Sequence, residues 1–339
     1  MKKDVDTKMV EMSLDDYLEE YHKILTEEMP ELVRNMDIIN DEICYIIQLY
    51  YLNSDLFEID NYDTYFDDYE RVELCRKIIK NINPEYEKMY INLLKEKKLL
   101  YGNYKMSHTK VNKIYVRGNN NIEDIFVTIH ELFHYIHLSK YNYDTSNTDW
   151  YVLTEMIAIM FEFYVLFNMY QNDLYRNDVR NYFYKVIGGI YIRADNIAAE
   201  SLILDIYDKK GSIDDDAIEE FKNDKKIPDV YMEILNSLEG DTDPFTYHEN
   251  ATYMFALPMS IMASLRMVSD SEYFNKIINT LNNISNYSFE EILDEMELSY
   301  ILSDEDNRQN LYSVMEYIDS FIKDISNNKD VKYIKLGRK

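Results

Sequence analysis

Apolar residues recur along this chain at intervals of three and four, the period of helices that bury one face. Ser13 with Asp16 three positions later opens a helix through about Glu28. Pro30 to about Asn53 places Leu32, Ile38, Ile39, Cys44, Ile47 and Leu49 at helical intervals. Asp63 to Asn81 and Pro84 to Leu100 read as two further helices. The one convincing extended segment is KIYVRG, Lys113 to Gly118, where Ile114 and Val116 alternate with Tyr115 and Arg117. It predicts an edge strand or part of a small sheet. Asn119, Asn120 and Asn121 form a turn, and Asn121 with Asp124 caps a helix running to about Lys140. A polar loop, YNYDTSNTD, precedes a long helix from about Trp150 to Met169. Helices at roughly 176–187, 189–208, 213–223, 228–238, 249–268, 270–283, 288–300 and 306–327 complete the chain, with Gly188-Gly189 breaking or kinking one of them.

Composition reinforces the helical reading. Only 7 Gly and 5 Pro occur in 339 residues, too few for the frequent turns of an all-β sandwich or a Rossmann sheet. The expected fold is therefore mainly α, with one short strand or small sheet. A 46% hydrophobic content supplies a large core, and no repeat or flexible linker divides the chain, so one domain with two lobes is expected. The net charge of -27 repels phosphate backbones and anionic lipid, which argues against nucleic acid and membrane as partners. Cys44 and Cys75 are too few for a disulfide framework and read as buried reduced thiols. The N-terminus has no uninterrupted apolar run of the signal-peptide kind. The stretch Met156 to Tyr170 is interrupted by Glu162 and reads as a buried helix, so a cytoplasmic location is expected.

The chemistry concentrates in HELFH, His130 to His134. Four residues advance a helix by about 6 Å and roughly 400°, so both imidazoles stand on one face, one turn apart, and can bind one metal. Glu131, one step round, is placed to take a proton from a water beside that metal, the general-base position of a zinc hydrolase. A third protein ligand is needed. His137 is a poor geometric partner on the same helix and reads as a residue behind the site or at the core edge. The better candidate is Glu155 in TEMIAIMFEF, 21 residues after His134. Glu162 lies seven residues on, close to the same stripe of an otherwise apolar helix. Two inward carboxylates are costly unless paired or metal-bound, so Glu162 reads as the acceptor that orients a ligand histidine. Farther on, His248 and Tyr253 can donate to the oxyanion that forms when a carbonyl is attacked. Tyr247 and Tyr191 are alternatives.

These residues resemble the thimet oligopeptidase and oligoendopeptidase F family of zinc metallopeptidases, of the HExxH gluzincin type. The resemblance rests on KIYVRGNNNIEDIFVTIHELFHYIH and on TEMIAIMFE, and more weakly on the segment from His248 to Ala263. It implies a two-lobed helical zincin-type fold, one zinc ion per chain bound by His130, His134 and Glu155, Glu131 as base, and Glu162 behind the site. It also implies hydrolysis of short peptides or a flexible protein segment. Residues 1–110 then form an N-terminal helical lobe, 111–330 the catalytic region and 331–339 a basic tail. An exposed strand edge at Tyr115, Val116, Arg117 and Gly118 is expected to hold the peptide substrate by its backbone. Two departures stand out. Phe133 replaces the glycine usual within the motif, and the chain is shorter than typical members. A catalytically inactive, zinc-pinned helical interaction protein is the alternative, although a structural zinc has no use for Glu131.

Overall fold

The computed structural model describes residues 62–110, 112–140, 148–186, 256, 260–261 and 263–298. The helices expected at 13–28, 30–53, 189–238 and 306–327 lie outside these residues, as do Cys44 and the basic tail. The described part is mainly helical, around a three-stranded sheet.

Helix α1, Asp68–Ile82, starts later than the apolar spacing suggests, because a capping box fixes its first turn. The Asp67 carboxylate accepts from the Glu70 amide while Glu70 accepts from the Asp67 amide. Residues 62–67 are not helical, and Asp178 accepts the amides of Asp63 and Thr64 at 2.6 and 3.0 Å. Helix α2, Pro84–Lys95, has proline in its first turn, where no amide partner is lost. It stops five residues short of the expected Leu100. Lys97 takes a left-handed conformation (φ 54°), the Lys98 amide donates to the Leu93 carbonyl and that of Lys97 to Leu94. This is a Schellman stop built on lysine where sequence rules look for glycine.

The released chain forms β1, Leu99–Gly102, followed by β2, His108–Lys110, and β3, Lys113–Arg117. The order is β1-β3-β2, with β1 parallel and β2 antiparallel to β3. KIYVRG is thus the middle strand and not an edge: its backbone is used on both sides, and among the described residues β1 and β2 are the outer strands, of which β2 carries Thr109 next to Glu131. The sheet joins strands from both sides of residue 110.

Ile114 and Val116 point inward onto helix α3, Ile122–Lys140, which is buried on nearly every side. Its main neighbour is α4, Thr148–Gln171. The window Val152–Gln171 is long and apolar enough to cross a membrane by length and composition, but 89% of it is buried inside the fold, as expected of a core helix. Residues 176–186 and 263–269 are also helical. Ser260 and Ser264 donate to the Met156 and Met160 carbonyls at 2.9 and 2.7 Å, so small side chains on one stripe bring this last segment against the α4 backbone. Helices α5, Ser271–Asn282, and α6, Phe289–Glu295, close that side.

Phe133 sits where α3, α4 and α2 meet. It stacks on Phe161 with ring centroids 3.7 Å apart and meets the edge of Tyr86 at 5.7 Å. A ring at this motif position therefore fills the helix interface.

Candidate metal centre

Helix α3 begins where Asn121 accepts the Glu123 amide and Asp124 accepts the amides of Asn119 and Asn120. Asn120 itself is left-handed (φ 59°), a conformation asparagine tolerates. The helix so anchored carries His130, Glu131 and His134 toward α4, which supplies Glu155 and Glu162.

The two imidazole Nε2 atoms are 3.0 Å apart. Glu155 Oε1 lies 3.4 Å from His134 Nε2, and Oε2 lies 3.6 Å from His130 Nε2. One ligand atom from each residue falls within 4.8 Å of the others. Tetrahedral zinc with bonds of about 2.0–2.1 Å requires donors separated by roughly 3.3 Å, so the donor set fits in both chemistry and spacing. These three residues can hold a metal.

His130 Nδ1 meets Glu162 Oε2 at 2.8 Å. With Nδ1–H donating to that carboxylate, Nε2 is the ring atom that faces His134 and Glu155, and it becomes a ligand once a cation displaces its proton. Glu162 is held in turn by the Tyr182 hydroxyl, which donates to Oε1 at 2.8 Å. Glu131, 6% exposed, accepts from Thr109 Oγ1 at 2.7 Å through its Oε2, and the same hydroxyl reaches the Glu131 carbonyl at 2.9 Å. Strand β2 therefore orients this carboxylate. Sequence reasoning missed Tyr182 and Thr109: one tyrosine among 33 and one threonine 22 residues upstream carry no signal of their own.

Electrostatics at the cluster favours positive charge. Burial pulls the His130 imidazole down, but the hydrogen bond and charge of Glu162, with Glu155 and Glu131, outweigh it and raise the group to about 9. His134 is held well below its ordinary value by burial, and then by the charges of His130 and His137. Burial pushes Glu131 upward, against the opposing pull of His130 and Thr109. That direction makes it a better proton acceptor than an exposed glutamate.

His137 is fully buried, and its Nδ1 bonds to the hydroxyl of Thr154, the neighbour of Glu155. Burial depresses it to about 3, so it packs as a neutral ring. The expected substrate residues stand elsewhere than a cleft edge. Val116 is buried against α3, and Tyr115 and Arg117 lie on the outer face of a strand already paired on both sides. His248 and Tyr253 lie outside the described residues.

No family model matches the chain, and no curated protein matches it in sequence. Two solved structures share its fold. One is a putative oligoendopeptidase F from Bacillus anthracis str. Ames, with a TM-score of 0.62, 15% identity and 93% of this chain covered. The other is PZ peptidase A with an inhibitor, with a TM-score of 0.59, 11% identity and the same coverage. The chain spans 60% and 62% of the lengths of these proteins.

Proposed function

We propose that this chain is a zinc-dependent metallopeptidase that hydrolyses bonds in short peptides or in a flexible protein segment. The observation that carries this reading is the convergence of His130, His134 and Glu155 on one point with the buried carboxylate of Glu131 beside it. A fold shared with two peptidases supports it.

Zinc held by the three ligands supplies a Lewis acid that polarises a carbonyl and makes water more acidic. The remaining work belongs to the chain. Glu131 takes a proton from the attacking water as its oxygen bonds to the carbonyl carbon, then passes that proton to the departing nitrogen as the C–N bond breaks, leaving a carboxylate and an amine. Thr109 keeps one carboxylate oxygen occupied, so the other is the one aimed at the water. Glu162 and Tyr182 fix the His130 ring. The peptide backbone docks on the open edge of β2, next to Thr109, in place of KIYVRG. His248 and Tyr253 donate to the developing oxyanion.

Cleavage of a diverse peptide library by wild type and Glu131→Gln tests the reading. The amide keeps the shape but cannot accept the proton, so turnover should fall by about 10²- to 10⁴-fold with zinc content and fold retained. Equal cleavage by both proteins would remove Glu131 as the base.

A further inference from the structure

In a chain of net charge -27, residues 95–117 hold seven lysines and arginines against Glu96 alone. Lys98 pairs with that glutamate. Among the described residues, Lys105, Lys110, Lys113 and Arg117 form no ion pair.

The sheet sorts three of these charges, Lys110, Lys113 and Arg117, to one face. Ile114 and Val116 face α3, so Lys113, Tyr115 and Arg117 face outward, and the register puts Lys110 opposite Lys113 and His108 opposite Tyr115. His108 stacks on Tyr115 at 4.7 Å, and Lys110 Nζ stands 6.0 Å over the same ring. Two lysines directly opposite across a ladder repel each other and cost stability. Such an arrangement suits an anion between or beside them.

A peptide strand added to the open edge of β2 lies about 4.8 Å from it, with alternate side chains on opposite faces. One side chain then falls on the inner face beside Thr109 and Glu131. Its two neighbours fall on the outer face, beside His108 and Lys110. We infer that the outer face of this sheet selects acidic substrates, peptides with Asp or Glu at two positions flanking one residue, through Lys110, Lys113 and His108. This rests on the peptidase reading for the direction of the bound strand. The outer strand edge, which offers backbone N–H and C=O groups to an extended chain, favours an acidic peptide over nucleic acid.

The test uses the full chain carrying Glu131→Gln, loaded with zinc, and three labelled nine-residue peptides identical except for Glu, Gln or Lys at alternate positions. Binding by fluorescence anisotropy at about 0.1 M salt should favour the Glu peptide over the Gln peptide by roughly tenfold, with the Lys peptide weakest. The ratio should shrink toward one at about 1 M salt, where screening acts within about 3 Å. Adding Lys110→Glu with Lys113→Glu should reverse the order. The salt series on the unreversed protein tests the same point should that variant fold poorly. Equal binding of the three peptides overturns charge selection, even where wild type cleaves all three, and leaves the peptidase reading intact. Charge-selective binding without any cleavage by wild type upholds the basic face and overturns the peptidase reading. A single-stranded oligonucleotide that binds more tightly than the Glu peptide overturns the choice of ligand.

Discussion

Helix α3 carries two buried ionic clusters two turns apart, and they are built to opposite ends. At its N-terminus Asp124 accepts from Arg71 at 2.9 Å and from two backbone amides. Arg71 also reaches Asn120 and Asp68 and lies 3.9 Å over the Tyr101 ring. Glu123 accepts from Tyr62, Asn119 and Lys185. Positive charge and donors there come from the chain itself. In the middle of the helix Glu131 and Glu162 form no ion pair with lysine or arginine among the described residues, and Glu155 faces two imidazoles. The first cluster is closed and locks the helix in place. The second gathers negative charge and nitrogen lone pairs at one point, an arrangement that favours a divalent cation. Buried charge alone therefore does not mark a site; what marks it is which partner the fold leaves to be supplied.

The sharpest way to break the contrast is metal. If only the middle cluster takes a cation, zinc at a thousandfold over its dissociation constant should stabilise the protein by about 4 kcal/mol, and a chelator should reverse this. Glu155→Ala should abolish most of the gain, as read by thermal midpoint and by metal content. Unchanged zinc occupancy in that variant would remove Glu155 from the ligand set.

At the closed cluster Arg71→Met should cost about 3–5 kcal/mol in denaturant unfolding, because Asp124 stays buried with its cationic partner gone. Zinc content of the folded protein should not change. A loss of zinc in this variant would show that the two clusters are coupled.

A smaller effect follows from His137, which lies between the two helices. Its folded value, about 3, is below the ordinary 6.5, so its contribution is complete above pH 6.5 and is lost as pH falls toward 3. His137→Gln should lessen the acid dependence of stability in that window, by up to a few kcal/mol, measured by denaturation at stepped pH. Parallel curves for the two proteins would mean that the ring does not charge on unfolding.

The smallest effect should come from Tyr182→Phe, which deletes one donor to Glu162 and keeps the ring. Zinc affinity should fall by roughly tenfold, the low end for changes behind a metal ligand. No change in affinity would make Tyr182 a packing residue and leave Glu162 held by His130 alone.

The sequence by itself determined what is periodic or local. The helical character, the one-turn spacing of His130 and His134, the position of Glu131 beside them, and the two carboxylates seven apart on an apolar helix all follow from 3.6 residues per turn and the cost of burying charge. Signals that depend on unusual residues in ordinary roles were not legible. Lys97 stops α2 where glycine is the customary sign, and so Leu99–Gly102 becomes a strand. Only the tertiary structure decided that KIYVRG is the middle strand, since periodicity assigns a strand's faces but not its neighbours. The same holds for Thr109 on Glu131 and Tyr182 on Glu162, contacts across 22 and 20 residues. Nothing in local sequence specifies which hydroxyl a folded chain will bring to a buried carboxylate; the packing of β2 and of residues 176–186 around α3 and α4 does.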